Sequence, residues 1–73
     1  MTFYITFKMY THTYTATHYE DTGWWNLKEW VIVNIDRIDK VLNVESPNEQ
    51  KSLDYFEALQ NVISHWKNQQ INQ

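Results

Sequence analysis

The chain has 73 residues, enough for one domain, and its nine acidic and six basic residues give a net charge of −3 at pH 7. This balance argues against an electrostatic nucleic-acid binder, and the absence of cysteine excludes disulfides and thiolate metal sites. A domain this small buries only about 60% of its unfolded surface, so the aromatic residues must supply much of the core. Without a signal-peptide pattern or a long apolar run, we expect a cytosolic protein that does not span a membrane.

The first segment, from Phe3 to Met9, alternates between apolar and polar side chains, which predicts a strand with one buried face. After Met9 the apolar side chains move from the odd to the even positions, because threonine holds every odd position from Thr11 to Thr17. A strand changes its buried face only at a bulge or a turn, so we predict a break at Tyr10–Thr13. No Gly, Pro or Asn stands there, which favours the bulge.

The clearest turn sequence is Glu20–Gly23, because Asp bonds to nearby backbone and Gly accepts positive φ. We interpret it as a hairpin that leads into a strand over Trp24–Asn34. The run Trp30–Val33 is apolar at both odd and even positions, which predicts a central strand that is buried on both faces.

The segment Asn34–Arg37 looks like a short turn, and Ile38–Val44 then returns as a further strand. The spacing of Ile35, Ile38 and Leu42 also allows a short helix, because periodicity is ambiguous in short apolar runs.

A long helix is predicted from Pro47 to about Gln69, with Ser46 as its N-cap and Glu49 completing a capping box. Its apolar residues recur at intervals of three or four; they are Leu53, Tyr55, Phe56, Leu59, Val62, Ile63 and Trp66. At 1.5 Å per residue the helix would be about 35 Å long. We therefore expect Ile63 and Trp66 to overhang the sheet, and Asn68–Gln73 to fray.

The predicted fold is α+β: an antiparallel meander of three to four strands in one domain, residues 1–73, followed by one long C-terminal helix packed on the sheet.

Catalytic chemistry is not expected, nor is a cofactor. His12 and His18 would lie about 20 Å apart on one strand, and His65 lies on the predicted helix, so no metal site is predicted. A single glycine leaves no phosphate-binding loop.

We expect a protein-binding module, with a contact surface that combines aromatic and acidic side chains. Its predicted residues are Tyr19, Trp24, Trp25, Glu49, Asp54 and Glu57. The two adjacent tryptophans would face opposite ways on a strand, leaving at least one near the surface. By size and charge only, such chains resemble phage and mobile-element inhibitors of host machines, such as anti-CRISPR and anti-restriction proteins.

Two alternatives stay open. The chain could be a structural or regulatory subunit that dimerises through Ile63 and Trp66. It could also bind single-stranded nucleic acid by aromatic stacking, although no basic groove is evident.

Overall fold

The fold consists of one three-stranded antiparallel sheet with two helices on one of its faces. The computed structural model describes residues 1–71, and the side chains of residues 1–69. Its elements are β1 (Thr2–Met9), β2 (Thr13–Tyr19), a 3₁₀ turn (Glu20–Thr22), α1 (Trp24–Val33), β3 (Ile38–Glu45) and α2 (Glu49–Ile71). The predicted α+β class and long C-terminal helix are therefore confirmed. Within residues 1–71, neither α1 nor α2 combines the length and the hydrophobicity that a membrane-spanning helix needs.

The central strand is β1, and it supplies the middle of the core as its alternation predicts. Phe3, Ile5 and Phe7 are completely buried beneath the helices. The intervening side chains lie on the opposite face of the sheet, where Tyr4 is half exposed. This second face is left open to solvent by the described residues.

The break at Tyr10–Thr13 is a turn between β1 and β2, so the preference for a bulge was wrong. The amide of Met9 donates to the carbonyl of His12 at 2.8 Å, and β2 then pairs with β1 along its full length. Apart from Gly23, no described residue has positive φ. The turn therefore needs neither Gly nor Asn, and the sequence carries no signal for it.

The segment Trp24–Val33 is a helix, so the predicted hairpin at Glu20–Gly23 and the strand over Trp24–Asn34 were both wrong. Gly23 does adopt positive φ, at 91°, but it joins the 3₁₀ turn to α1. Leu27 and Val31 lie one helical turn apart and both enter the core. A helix buries such a stripe, whereas a strand would bury alternate residues.

The strand order is β2-β1-β3, so the predicted meander was also wrong. Both outer strands run antiparallel to β1, and they are therefore parallel to each other on its two sides. The connection between them must cross β1, and α1 forms this crossover. The turn at Asn34–Arg37 and the strand from Ile38 are confirmed, and the helical alternative for Ile35–Leu42 was wrong.

Helix α2 begins at Glu49, and its N-cap is Asn48 rather than the predicted Ser46. The Asn48 Oδ1 accepts a hydrogen bond from the amide of Lys51 at 3.0 Å, as an N-cap side chain does. Ser46 instead accepts from the amide of Asn48 and bonds to the hydroxyl of Ser52, 2.6 Å away. Helix α2 therefore begins two residues later than predicted, and the predicted capping box was wrong, because the third residue after Asn48 is Lys51, which has no acceptor for the amide of the cap residue.

The expected overhang at Ile63 was wrong, because this side chain is only 4% exposed and belongs to the core of its own chain. Trp66 is partly buried against the same core. The predicted fraying segment Asn68–Gln73 is helical through Ile71, and its last two residues lie outside the described part of the chain.

Candidate functional site

Helix α1 is apolar around most of its circumference, and only part of that surface is covered. Its polar residues are Asn26, Lys28 and Glu29. A helix that is apolar all round is normally enclosed by other elements. Here one side faces away from the sheet and from α2. We call the residues of that side, Trp25, Glu29, Ile32 and Val33, the α1 outward face.

Trp25 and Val33 are the most exposed large apolar side chains among the described residues, at 71% each. They lie eight residues apart on α1, which places them about two turns, or roughly 12 Å, apart along the same side. Glu29 lies between them, one turn from each, and is exposed, whereas Ile32 lies beside this row and is half buried. The α1 outward face is therefore an apolar strip with one carboxylate.

The indole of Trp25 has a local partner in Lys28. The Nζ atom of Lys28 lies 4.6 Å from the ring centre of Trp25, within the range of a cation–π contact. The contact joins residues one helical turn apart, so it favours particular rotamers of both side chains. An aromatic side chain that is already ordered loses less entropy when a partner covers it.

The neighbouring Trp24 has a different role. Its ring meets that of Tyr55 on α2 edge to face, with the ring centres 5.8 Å apart and the planes at 88°. Tyr55 in turn stacks on Phe3 at 4.1 Å. The two adjacent tryptophans are thus divided as expected, since Trp24 packs against the core and Trp25 stays at the surface. The reason is helical geometry rather than strand alternation.

The acidic residues proposed with the tryptophans lie on different sides of α2. Asp54 and Glu57 are exposed on its solvent side. Glu49 lines a hollow against β3, with Asn43 and Val44. The opposite flank of α2 carries Tyr55, which contacts Trp24. The fold therefore separates Glu49 from the two tryptophans.

Glu20, a carboxylate that the sequence analysis did not select, lies in the 3₁₀ turn just before α1. Glu20 accepts a hydrogen bond from the Nζ of Lys51 at 2.8 Å, which ties the 3₁₀ turn to α2. This bond lowers the pKa of Glu20 and raises that of Lys51. Tyr19, another predicted contact residue, precedes Glu20 and is half exposed.

A hollow lies at the C-terminal end of α1, where the β1–β2 turn approaches the loop before β3. It has a volume of about 350 Å³ and is lined by Met9, Tyr10, Thr11, His12, Tyr14, Trp30, Asn34, Asp36 and Arg37. Tyr14 and Trp30 form its wall as a nearly parallel pair, with ring centres 5.7 Å apart. The Nζ of Lys67 donates to the hydroxyl of Tyr10 at 2.6 Å and fixes α2 to the rim.

The three histidines do not converge. His12 lies in the β1–β2 turn and bonds to the hydroxyl of Thr11, His18 is buried on β2, and His65 is exposed on α2. Within residues 1–71 no group of three or more His, Asp or Glu side chains is arranged to hold a metal ion.

No protein-family model, curated protein or solved structure matches this chain. The surface chemistry is therefore the basis for a functional proposal.

Proposed function

We propose that this chain is a non-enzymatic protein-binding module that docks its partner on the α1 outward face, with Trp25 as the anchor. The observation that carries the proposal is an apolar helix whose residues Trp25 and Val33 are 71% exposed. Exposed apolar strips with polar borders are typical of protein contact sites. Tryptophan is also the residue type most enriched among those that dominate binding energy.

The module is expected to recognise a surface with two apolar pockets and a basic side chain between them. Trp25 and Val33 would fill the pockets, and Glu29, which lies between them on α1, would face the cation. A small domain offers a contact area at the low end of the usual range, so one deeply buried indole would have to supply much of the affinity.

Binding to single-stranded nucleic acid has less support. Four of the six basic side chains already have partners among the described residues: Lys8 pairs with Asp39 and Lys51 with Glu20, while Lys28 and Lys67 lie against aromatic rings. The other two, Arg37 and Lys40, are exposed. Cations used in this way do not form the continuous basic groove that accompanies base stacking. The narrower hypothesis, a phage or mobile-element inhibitor, rests on chain size and charge.

The test is partner capture with a Trp25→Ala variant, followed by calorimetry on the captured protein once it is purified. Removing an anchor side chain costs about 2 kcal/mol or more, so we expect the Kd to rise about 30-fold with the thermal unfolding midpoint unchanged. Val33→Ala should weaken binding in the same direction. Trp24→Ala is unsuitable as a test, because it removes the contact with Tyr55 and destabilises the fold.

Leu53→Ala is the matched control. Leu53 is a large apolar side chain that is 55% exposed, but it lies on α2 beside β3. The proposal requires that this variant bind as the unmodified chain does. Equal affinity of the Trp25→Ala and Val33→Ala variants for the partner would show that the α1 outward face is not the contact surface.

A further inference from the structure

The two edges of the sheet differ in a way that bears on self-association. A strand edge exposes unpaired amides and carbonyls, and proteins commonly protect it with charged side chains, bulges or short length. On β3, the pairing with β1 is interrupted at two places, and the strand carries Asp39, Lys40 and Glu45. That edge is irregular and charged, as protected edges are.

The edge formed by β2 has none of these features. Its sequence, Thr-Tyr-Thr-Ala-Thr-His-Tyr, contains no Asp, Glu, Lys, Arg or Pro. Its seven residues pair with β1 without a register shift. The edge is therefore regular in its pairing and free of permanent charge.

The pairing also shows which backbone groups of β2 are free. The amide of Met9 donates to His12 and the amide of Glu20 to Met1, so odd positions of β1 are hydrogen-bonded to even positions of β2. Because hydrogen-bonded and non-hydrogen-bonded pairs alternate along an antiparallel ladder, Thr13, Thr15 and Thr17 direct their amides and carbonyls away from β1. The free edge ends at Tyr19, whose carbonyl accepts from the hydroxyl of Thr22 at 2.7 Å.

These free groups complement a second copy of themselves. When two β2 strands run antiparallel about a two-fold axis through Ala16, the amide and carbonyl of Thr15 meet the carbonyl and amide of Thr17 in the other copy. The two-fold axis repeats the same pair on its other side, as an isologous contact requires. The small side chain of Ala16 lies at the axis, where the two strands approach most closely.

We propose that this chain forms a homodimer through β2, with the two copies joined into one continuous six-stranded antiparallel sheet. The occupant of the edge is a second copy because the register pairs every central donor with an acceptor and brings no like charges together. Oligomerisation is also a common source of stability for a domain that has no disulfide. This interface replaces the one predicted at Ile63, which is buried within its own chain.

The proposal is tested by adding charge where the two β2 strands would pair. In the double variant Thr15→Lys/Thr17→Lys, two lysines of each copy would face lysines of the other copy directly, which destabilises cross-strand pairs. We expect the unmodified chain to have the mass of a dimer in sedimentation equilibrium, and the double variant to have the mass of a monomer with unchanged circular dichroism. A 1:1 mixture with Thr15→Glu/Thr17→Glu should restore the dimer as a heterodimer.

Asn43→Lys is the control, because Asn43 pairs with Thr6, so the substitution adds the same charge to the same open face, but on β3, at the other edge of the sheet. It should leave the dimer intact. Amide hydrogen exchange supplies an independent readout. The amides of Thr15 and Thr17 should exchange slowly in the dimer and quickly in the lysine variant, whereas that of Ala16 should be protected in both. A monomeric unmodified chain at millimolar concentration, or a dimer that survives the lysine substitutions, would overturn the proposal.

Discussion

His18 is a buried polar residue of β2 whose imidazole faces aromatic rings rather than polar groups. The side chain is 6% exposed, and its ring centre lies 5.8 Å from that of Tyr55 and 6.1 Å from that of Phe3. Its Nε2 atom is buried, and no described residue is a hydrogen-bond partner for it. Burial lowers the pKa of His18 below its ordinary value of 6.5, against the opposing effect of Asp21 and Glu20.

Stability should therefore decline when the pH falls below about 6.5. Because the folded-state pKa is the lower one, the unfolded chain binds more protons in this range, and the free energy of unfolding decreases as the pH drops. Above the unfolded value of 6.5 both states hold neutral His18, and its contribution is constant. Urea unfolding between pH 5 and 8 measures this dependence.

His18→Leu removes the titrating group and should flatten the part of the pH dependence between pH 5 and 6.5. His12→Leu, which removes an exposed imidazole in the β1–β2 turn, is the matched control and should leave that part unchanged. An equal slope in the His18→Leu variant and the unmodified chain would assign the effect to another group.

At the scale of elements, the start of α2 shows how two candidate caps compete. Ser46 and Asn48 can both accept a backbone amide, and a serine followed by proline closely matches a known helix-start pattern. The chain uses Asn48, because the Ser46 hydroxyl is engaged with Ser52, a buried residue of the first turn. The hydroxyl that would cap the helix satisfies a buried polar group instead.

Asn48→Ala should lower the free energy of unfolding by about 1 kcal/mol, the usual cost of losing an N-cap side chain. Asn48→Asp and Asn48→Ser retain an acceptor at this position and should retain most of the stability. Chemical denaturation of the three variants provides the comparison. If Asn48→Ala left the free energy of unfolding unchanged, Ser46 rather than Asn48 would be the N-cap, since alanine is tolerated within the first turn of a helix.

At the scale of the whole molecule, a single core joins the sheet to both helices. It includes Phe3 and Phe7 from β1, Val31 from α1 and Leu59 and Ile63 from α2. Helix α2 therefore packs across the sheet with its C-terminal half as well as its N-terminal half. These contacts with the core extend along α2 as far as Trp66.

Ile63→Ala should therefore cost about 2–5 kcal/mol, because it leaves a cavity in this core, and should leave the oligomeric state unchanged in a chain that still folds. Ile63→Val is the milder variant, with an expected cost of about 0.5–1.5 kcal/mol. Asn61→Ala, at an exposed position two residues earlier on the other side of α2, is the control for both. An Ile63→Ala cost below about 0.5 kcal/mol would contradict the packing of Ile63 in this core.

The sequence by itself determined the elements whose periodicity admits one interpretation. The alternation from Phe3 to Met9 can bury one face only as a strand, and the spacing from Leu53 to Trp66 indicates a helix, although Leu53 itself is 55% exposed. The polar break at Asn34–Arg37 likewise separated two elements correctly. These features depend on residues that are close together in the sequence, so the sequence alone is sufficient to predict them.

Only the tertiary structure decided the features that depend on distant contacts. The run Trp30–Val33 is apolar on both parities and suits a buried strand or a helix; the contacts of Val31 with the core decide for the helix. The order β2-β1-β3 follows from non-local pairing and the crossover by α1. The same packing buries Ile63, divides Trp24 from Trp25 and leaves β2 at a free edge. Periodicity describes a segment, whereas burial depends on what packs against it.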